Sequence, residues 1–252
     1  MPQDAELDVK RALQKRGTVA KFAREQVGDQ DLARLRPGQW LNDEIINFYG
    51  ALILARSDAR KSQSNGALAN GNGHADKGKG KVLDCHYFNS FFWTKMVNEG
   101  YEKSRLNKWT KKFDIFAKDV VLIPVNHHNT HWTGAAINFR EKRIESYDSM
   151  GAKNKIVFEV LREYLDAEHR DKKKKPFDFT RWQDHAPVTT PRQENGYDCG
   201  VFTCRFLEML SRGQDFNFSQ RDIPYLRRRM IWEIIHGELR DDASDIAAAN
   251  VT

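Results

Sequence analysis

Cysteine is scarce in this chain of 252 residues, which carries three: Cys85, Cys199 and Cys204. A small, odd number excludes a disulfide-stapled secreted scaffold and points to a reducing compartment, where a functional thiol survives. There is no Cys-x-x-Cys pair, so the spacing of a structural zinc site is missing although Cys85, His86, His127, His128 and His131 are all soft ligands. Cys85 and Cys204 read as core thiols. No apolar run reaches the length of a membrane span, and Met1-Pro2-Gln3-Asp4-Ala5-Glu6 lacks the basic and apolar regions of a signal peptide. A soluble protein without membrane insertion is therefore expected. The formal net charge of +6 is modest for this length. The densest basic runs, 172–175 and 227–229, have no interleaved aromatics to stack on bases, so both read as solvated faces and no nucleic-acid partner is expected.

A hydrophobic content of 40% is enough for a substantial core, and one main domain is expected. A helical pattern over 5–14 precedes an apolar stretch at 19–22, and Leu32 and Leu35 lead through Pro37-Gly38 to Trp40. Asn42 or Asp43 can cap a further helix whose apolar face is Ile45, Ile46, Tyr49, Leu52 and Ile53. Residues 57–81 are rich in Ser, Asn, Gly, Ala and Lys and read as a flexible, disordered insertion. It interrupts one domain, because the aromatic-dense run from Cys85 to Trp93 follows it. Residues 120–124 predict a buried strand, and 131–138 with 143–148 predict a hairpin that puts His131 and Asp148 at strand ends. A helix over 154–167, a strand near Trp182 and helices over 200–210 and 225–239 complete the pattern. It lacks regular βαβ alternation, which makes the fold class α+β.

The chemistry concentrates in Pro191-Arg192-Gln193-Glu194-Asn195-Gly196-Tyr197-Asp198-Cys199-Gly200, where a loop gives way to an apolar helix at a cysteine. A cysteine attacks a carbonyl as its thiolate, which a helix N-terminus or a neighbouring histidinium stabilises. Helix N-terminal amides also face an oxyanion formed beside the sulfur. The base is His131, His127 or His128; the residues alone leave all three open. Asp148 follows His131 by 17 residues, so a hairpin returns its carboxylate to the imidazole, where it fixes the tautomer. Gln193 has an amide to offer the oxyanion, with the backbone N–H of Cys199 as second donor. Taken singly, each residue also has a plain structural reading: a buried thiol, a turn aspartate, a loop glutamine.

Together the order His131, Asp148, Gln193, Cys199, with Trp40-Leu41-Asn42-Asp43 and Phe88-Asn89-Ser90-Phe91-Phe92 upstream, resembles the ubiquitin-like-protein proteases of the adenain-like clan, and most of all the SUMO-specific (sentrin) protease catalytic domain. The resemblance implies a central mixed sheet flanked by helices, with the catalytic cysteine at a helix N-terminus. It implies a domain over 31–240 with the insertion at 57–81, an N-terminal extension at 1–30 packing on or leading into it, and a tail at 241–252. His131, Asp148 and Cys199 match the family's triad and Gln193 its oxyanion glutamine. Trp40 and Trp132 match two tryptophans that close over a Gly-Gly tail, and Asp43 and Phe91 match contacts to the modifier's folded body. Gln30 stands where some relatives carry a basic residue, which removes one polar contact. The implied function is cysteine proteolysis after the C-terminal Gly-Gly of SUMO, in precursor maturation and in release from substrate lysines. SUMO precursors and SUMO-conjugated proteins would be the partners, no cofactor is required, the chain would be a monomer, and the compartment would be the nucleus or nuclear envelope, with the cytoplasm as a further site. The alternatives are a protease for a Nedd-type modifier, an inactive SUMO-binding module, and an acyltransferase acting on amino-acid side chains.

Overall fold

The apolar run at 120–124 opens a longer strand in the middle of a sheet, and the rest of the chain is arranged around it. The computed structural model describes residues 1–69 and 83–240. In chain order its elements are α1 (Gln3–Ala12), β1 (Thr18–Phe22), β2 (Glu25–Gly28), α2 (Asp29–Leu32), α3 (Asp43–Ala69), β3 (Cys85–Tyr87), α4 (Phe91–Lys103), β4 (Val120–His127), β5 (His131–Asn138), β6 (Arg143–Tyr147), α5 (Lys155–Lys173), β7 (Gln183–His185), α6 (Cys199–Leu210) and α7 (Ile223–His236). Strands β1 and β2 form a separate antiparallel pair. The main sheet has five strands in the order β3-β4-β5-β6-β7, antiparallel in the middle and parallel at both margins. This is the mixed sheet and α+β class expected.

The two-residue period of β4 explains the layering. Val120 and Leu122 belong to a core shared with α3, α6 and α7, whereas Val121, Ile123 and Val125 join a second core with α4 and α5. Residues 1–30 feed the first core through Val9, Ala12, Val19 and Val27. Close approach of α3 to the sheet depends on Gly50, because a Cβ there would stand 2.1 Å from the Tyr87 ring.

Three expectations are corrected. The insertion does not begin at Ser57, since α3 continues to Ala69. Ser57 is buried, donating to the Leu83 carbonyl at 2.9 Å and accepting from the Cys85 N–H at 3.1 Å, while Arg56 pairs with the buried Glu208 at 2.5 Å. These tertiary contacts, with the helix formers of the 54–61 stretch, outweigh a composition that reads as linker. The rest of the expected insertion, 70–81, and the tail at 241–252 lie outside the described residues. The run 227–229 is not a solvated face either: Arg227 and Arg229 are buried, paired with Asp198 and Glu233. Helix α5 also runs six residues past its expected end at Ala167, to Lys173.

Candidate active site

Two strand ends bring the first pair together. A tight turn precedes β5, with His128 and Asn129 at positive φ and the Asn129 N–H on Asn126 Oδ1 at 2.9 Å, so His131 starts the strand directly after it. Strand β6 returns antiparallel, pairing Tyr147 with Gly134, and the next residue, Asp148, comes back beside the start of β5. His131 Nε2 then lies 2.8 Å from Asp148 Oδ1. The Met150 N–H donates to the same oxygen at 2.7 Å, and Asn154 Nδ2 donates to Oδ2 at 3.3 Å. Burial pushes the Asp148 carboxyl up, but the His131 contact and the Met150 N–H outweigh it and hold the group below the usual carboxylate range.

The structure separates the three histidines. Burial pulls the His131 pKa down, yet Asp148 and the Cys199 thiol prevail and raise it to about 9. Among the described residues, the buried His131 Nδ1 meets no atom with hydrogen-bond geometry, although Cys199 is close enough to act on the ring's charge. His127 is held differently, with Nε2 at 3.0 Å from Thr133 Oγ1 and its pKa lowered by burial and then by His131. Its ring lies nearly parallel to that of His131 at a centroid distance of 6.0 Å. His128 stays in the turn.

Cys199 is the first residue of α6 and is 2% exposed. The preceding carbonyl, of Asp198, accepts from Val201 N at 2.9 Å and Phe202 N at 3.1 Å, so the helix begins at the cysteine. Gln193 is fixed at both ends of its amide: Ser149 Oγ donates to Oε1 at 2.6 Å, and Nε2 donates to the Asn195 carbonyl at 2.5 Å. A backbone bond from Gln193 N to the Ser149 carbonyl at 2.9 Å ties the cysteine loop to the segment after Asp148. One Nε2 hydrogen remains for an anion.

The two tryptophan motifs also meet. Trp132 is 5% exposed and its indole N–H donates to the Leu41 carbonyl at 3.1 Å, whereas Trp40, one residue earlier, is 43% exposed. Leu41 rests against Gly200, where a Cβ would stand 2.8 Å from Leu41 Cβ. The Trp40 loop is therefore held by the residue after His131 and by the residue after Cys199. Asn42 Oδ1 accepts from Ile45 N at 3.4 Å and caps α3, which opens with Asp43. One turn on, Asn47 Oδ1 accepts from Ser90 N at 2.8 Å, bringing the start of α4 alongside, with Phe91 56% exposed.

All eight sequence-derived residues thus fall on elements in mutual contact. Sequence reasoning missed Ser149, Asn154, Gly200 and the Asp198 carboxylate. Gly200 left a signal, a glycine in the first turn of an apolar helix; Ser149 and Asn154 left none. The assembly has the parts of nucleophilic acyl chemistry: a thiol at a helix N-terminus, an imidazole, an orienting carboxylate and an amide donor. Among the described residues no three His, Cys, Asp or Glu side chains are grouped to hold a metal ion, and no helix is long and apolar enough to cross a membrane.

Known proteins resemble this chain in sequence and in fold. The chain is 42% identical over 85% of its length to a sentrin-specific protease of Caenorhabditis elegans, and 34% identical over 83% to sentrin-specific protease 2 of Homo sapiens. It spans 28% and 32% of those two proteins. The catalytic domain of the Chaetomium thermophilum Ulp1-like SUMO protease superimposes with a TM-score of 0.75 at 25% identity, covering 96% of this chain and 92% of that one. Residues 71–239 match the Ulp1 protease family, C-terminal catalytic domain, and the chain belongs to that family.

Proposed function

We propose that this chain is a cysteine protease that cuts after the C-terminal Gly-Gly of a SUMO-type modifier, both in its precursor and in its isopeptide conjugates to lysine. The observation that carries the reading is the 2.8 Å contact between His131 and Asp148, on an imidazole raised to about 9 by that carboxylate and by Cys199. Such an imidazole is protonated at neutral pH, the charge state that stabilises a thiolate beside it.

The Cys199 sulfur attacks the glycine carbonyl, and the negative charge passes to the carbonyl oxygen, where the Cys199 N–H and the Gln193 amide meet it. Collapse breaks the C–N bond, and His131 gives its proton to the leaving amine. The resulting thioester is opened by a water whose proton His131 takes, which returns the thiolate–imidazolium pair and frees the glycine carboxylic acid, whose proton passes to solvent. Asp148 keeps the imidazole oriented and its positive charge compensated throughout.

Specificity would come from the exposed Trp40 face with Trp132 behind its loop, where a glycine tail passes and a chain bearing Cβ atoms clashes. Asp43 and Phe91 would contact the folded body of the modifier. SUMO precursors and conjugates are the partners this implies, and the nucleus or nuclear envelope the compartment. The test is release of a C-terminal fluorophore from SUMO, a Nedd-type modifier and ubiquitin. Preference for SUMO by more than about ten-fold, a difference of 1.4 kcal/mol in transition-state binding, supports the specificity. Equal or faster cleavage of ubiquitin overturns it, and activity surviving in Cys199→Ala overturns the mechanism.

A further inference from the structure

One buried guanidinium reaches both the cysteine loop and the Trp40 loop without touching the reacting atoms. Arg227, on α7, donates through Nε and Nη2 to Asp198 Oδ1 at 2.9 and 2.6 Å. Its Nη1 donates to the Arg34 and Arg36 carbonyls at 3.0 and 3.1 Å, and Nη2 also to the Gln39 carbonyl at 2.9 Å, with a longer 3.4 Å contact to Tyr197 O. All five N–H bonds thus have acceptors, on two segments that the sequence separates by more than 150 residues.

Two of the acceptors adjoin a site residue. Asp198 immediately precedes Cys199, and Gln39 immediately precedes Trp40. The second Asp198 oxygen accepts from Asn195 Nδ2 at 2.6 Å and Gln220 Nε2 at 2.8 Å. The Asn195 carbonyl in turn takes the Gln193 Nε2 hydrogen. A continuous chain of contacts runs from Arg227 through Asp198 and Asn195 to the amide proposed for the oxyanion, and a second branch runs through Gln39 to the Trp40 loop. The ion pair also places a compensating positive charge on a carboxylate that would otherwise stand unneutralised beside the nucleophile.

We infer that Arg227 is a positioning residue that sets, through one planar fork, both the oxyanion donor Gln193 and the Trp40 gate. This rests on the protease reading above. Lysine keeps the charge at this position but is a point donor with three hydrogens on a flexible stem, and it cannot span Asp198, Gln39 and the 34–36 carbonyls together.

The experiment compares Arg227→Lys with the parent in steady-state cleavage of a C-terminal fluorogenic SUMO, at a temperature where both are folded by circular dichroism, alone and combined with Gln193→Ala. The expected result is a fall in kcat of about ten-fold to a hundred-fold, the cost of displacing a reacting group by a fraction of an ångström to an ångström. In the Gln193→Ala background the same substitution should cost about two-fold or less in kcat, because the oxyanion donor it positions is gone, while the released Trp40 loop still shows as a rise in KM. Equal fold losses in both backgrounds, or a loss matching the unfolded fraction, overturns the inference. Amide exchange on the same proteins decides the case should the parent cleave no modifier, which by itself defeats the protease reading. Protection lost in 39–41 and 193–202 together, with α5 unchanged, supports the positioning role. Loss spread evenly over the chain, or confined to one of the two segments, overturns it.

Discussion

The Trp132 indole N–H rests on the Leu41 carbonyl at 3.1 Å, across 91 residues of sequence, and joins the strand that bears His131 to the loop that bears Trp40. A buried indole needs an acceptor for its single N–H, and a loop carbonyl beside it needs a donor. Trp132→Phe removes the donor, keeps an aromatic ring and leaves that carbonyl unsatisfied. The expected cost is about 1–3 kcal/mol of folding stability. Because the loop is released at Trp40, KM for a modifier substrate should rise more than kcat falls. Chemical denaturation and steady-state kinetics on the same preparation check both; a drop in kcat at constant KM would contradict the loop-anchoring role.

Titration of the His131–Asp148 pair gives a pH signature. The folded His131 pKa, about 9, lies above its ordinary 6.5, so its contribution to stability is full below 6.5 and is lost as pH rises through 9. Asp148 is shifted the other way, and its contribution is present above its ordinary 3.8 and lost as pH falls below that value. Asp148→Asn should therefore destabilise the protein most between about pH 5 and 6.5 and progressively less towards pH 10. Urea midpoints at pH 6 and pH 9.5 measure the difference, and a gap that widens with pH would be the wrong sign. Cleavage at neutral pH should fall by orders of magnitude in the same variant, since the imidazole loses its orienting carboxylate.

Gly200 offers a steric test of the nucleophile's surroundings. Its φ is not positive, so alanine suits the helix and by propensity alone would add up to about 1 kcal/mol. The added Cβ, however, stands 2.8 Å from the Leu41 Cβ, which is fixed to its backbone and has no rotamer to escape into. Either the first turn of α6 or the Trp40 loop must move. Overpacking of this kind costs about 1–3 kcal/mol, so a net destabilisation is expected in Gly200→Ala despite the better helix former. Activity should drop further than stability does, because both movable partners belong to the site; a more stable and fully active variant would show that the loop yields freely.

How much of this was legible beforehand depends on the range of the interaction. The strands declared themselves by apolar runs and alternation, and His131, Asp148, Gln193 and Cys199 by residue type and order. Helix α4 did not: Phe88, before the helix, and Phe92, within it, stack at 4.0 Å and both meet Tyr164 of α5, so the aromatic run straddles the helix start and masks its periodicity. The 57–69 part of the insertion looked like linker because its composition is polar, while what fixes Ser57 and Arg56 comes from Leu83, Cys85 and Glu208. Arg227 looked like one charge in a basic surface run, because local sequence does not reveal acceptors at Arg34, Arg36, Gln39 and Asp198. Long-range polar partners leave no periodic trace, and they account for Arg56, Ser57, Ser149 and Arg227.

Ser149 is one of those partners, and it supplies the most selective test of the oxyanion assignment. Its hydroxyl donates to Gln193 Oε1 at 2.6 Å and so fixes which end of the amide faces away from the Asn195 carbonyl. In Ser149→Ala the amide is still held by Asn195 at one end, but the other end is free to rotate. The donor is then correctly aimed for only part of the time. Outright loss of an oxyanion donor costs about a hundred-fold to a thousand-fold in kcat, so partial misorientation should cost less, about three-fold to thirty-fold, with KM little changed. Gln193→Ala should show the larger loss, and adding Ser149→Ala to it should change nothing further, since the hydroxyl acts through the amide. If the two losses multiply instead, Ser149 works by a route independent of Gln193 and the amide's orientation is set elsewhere.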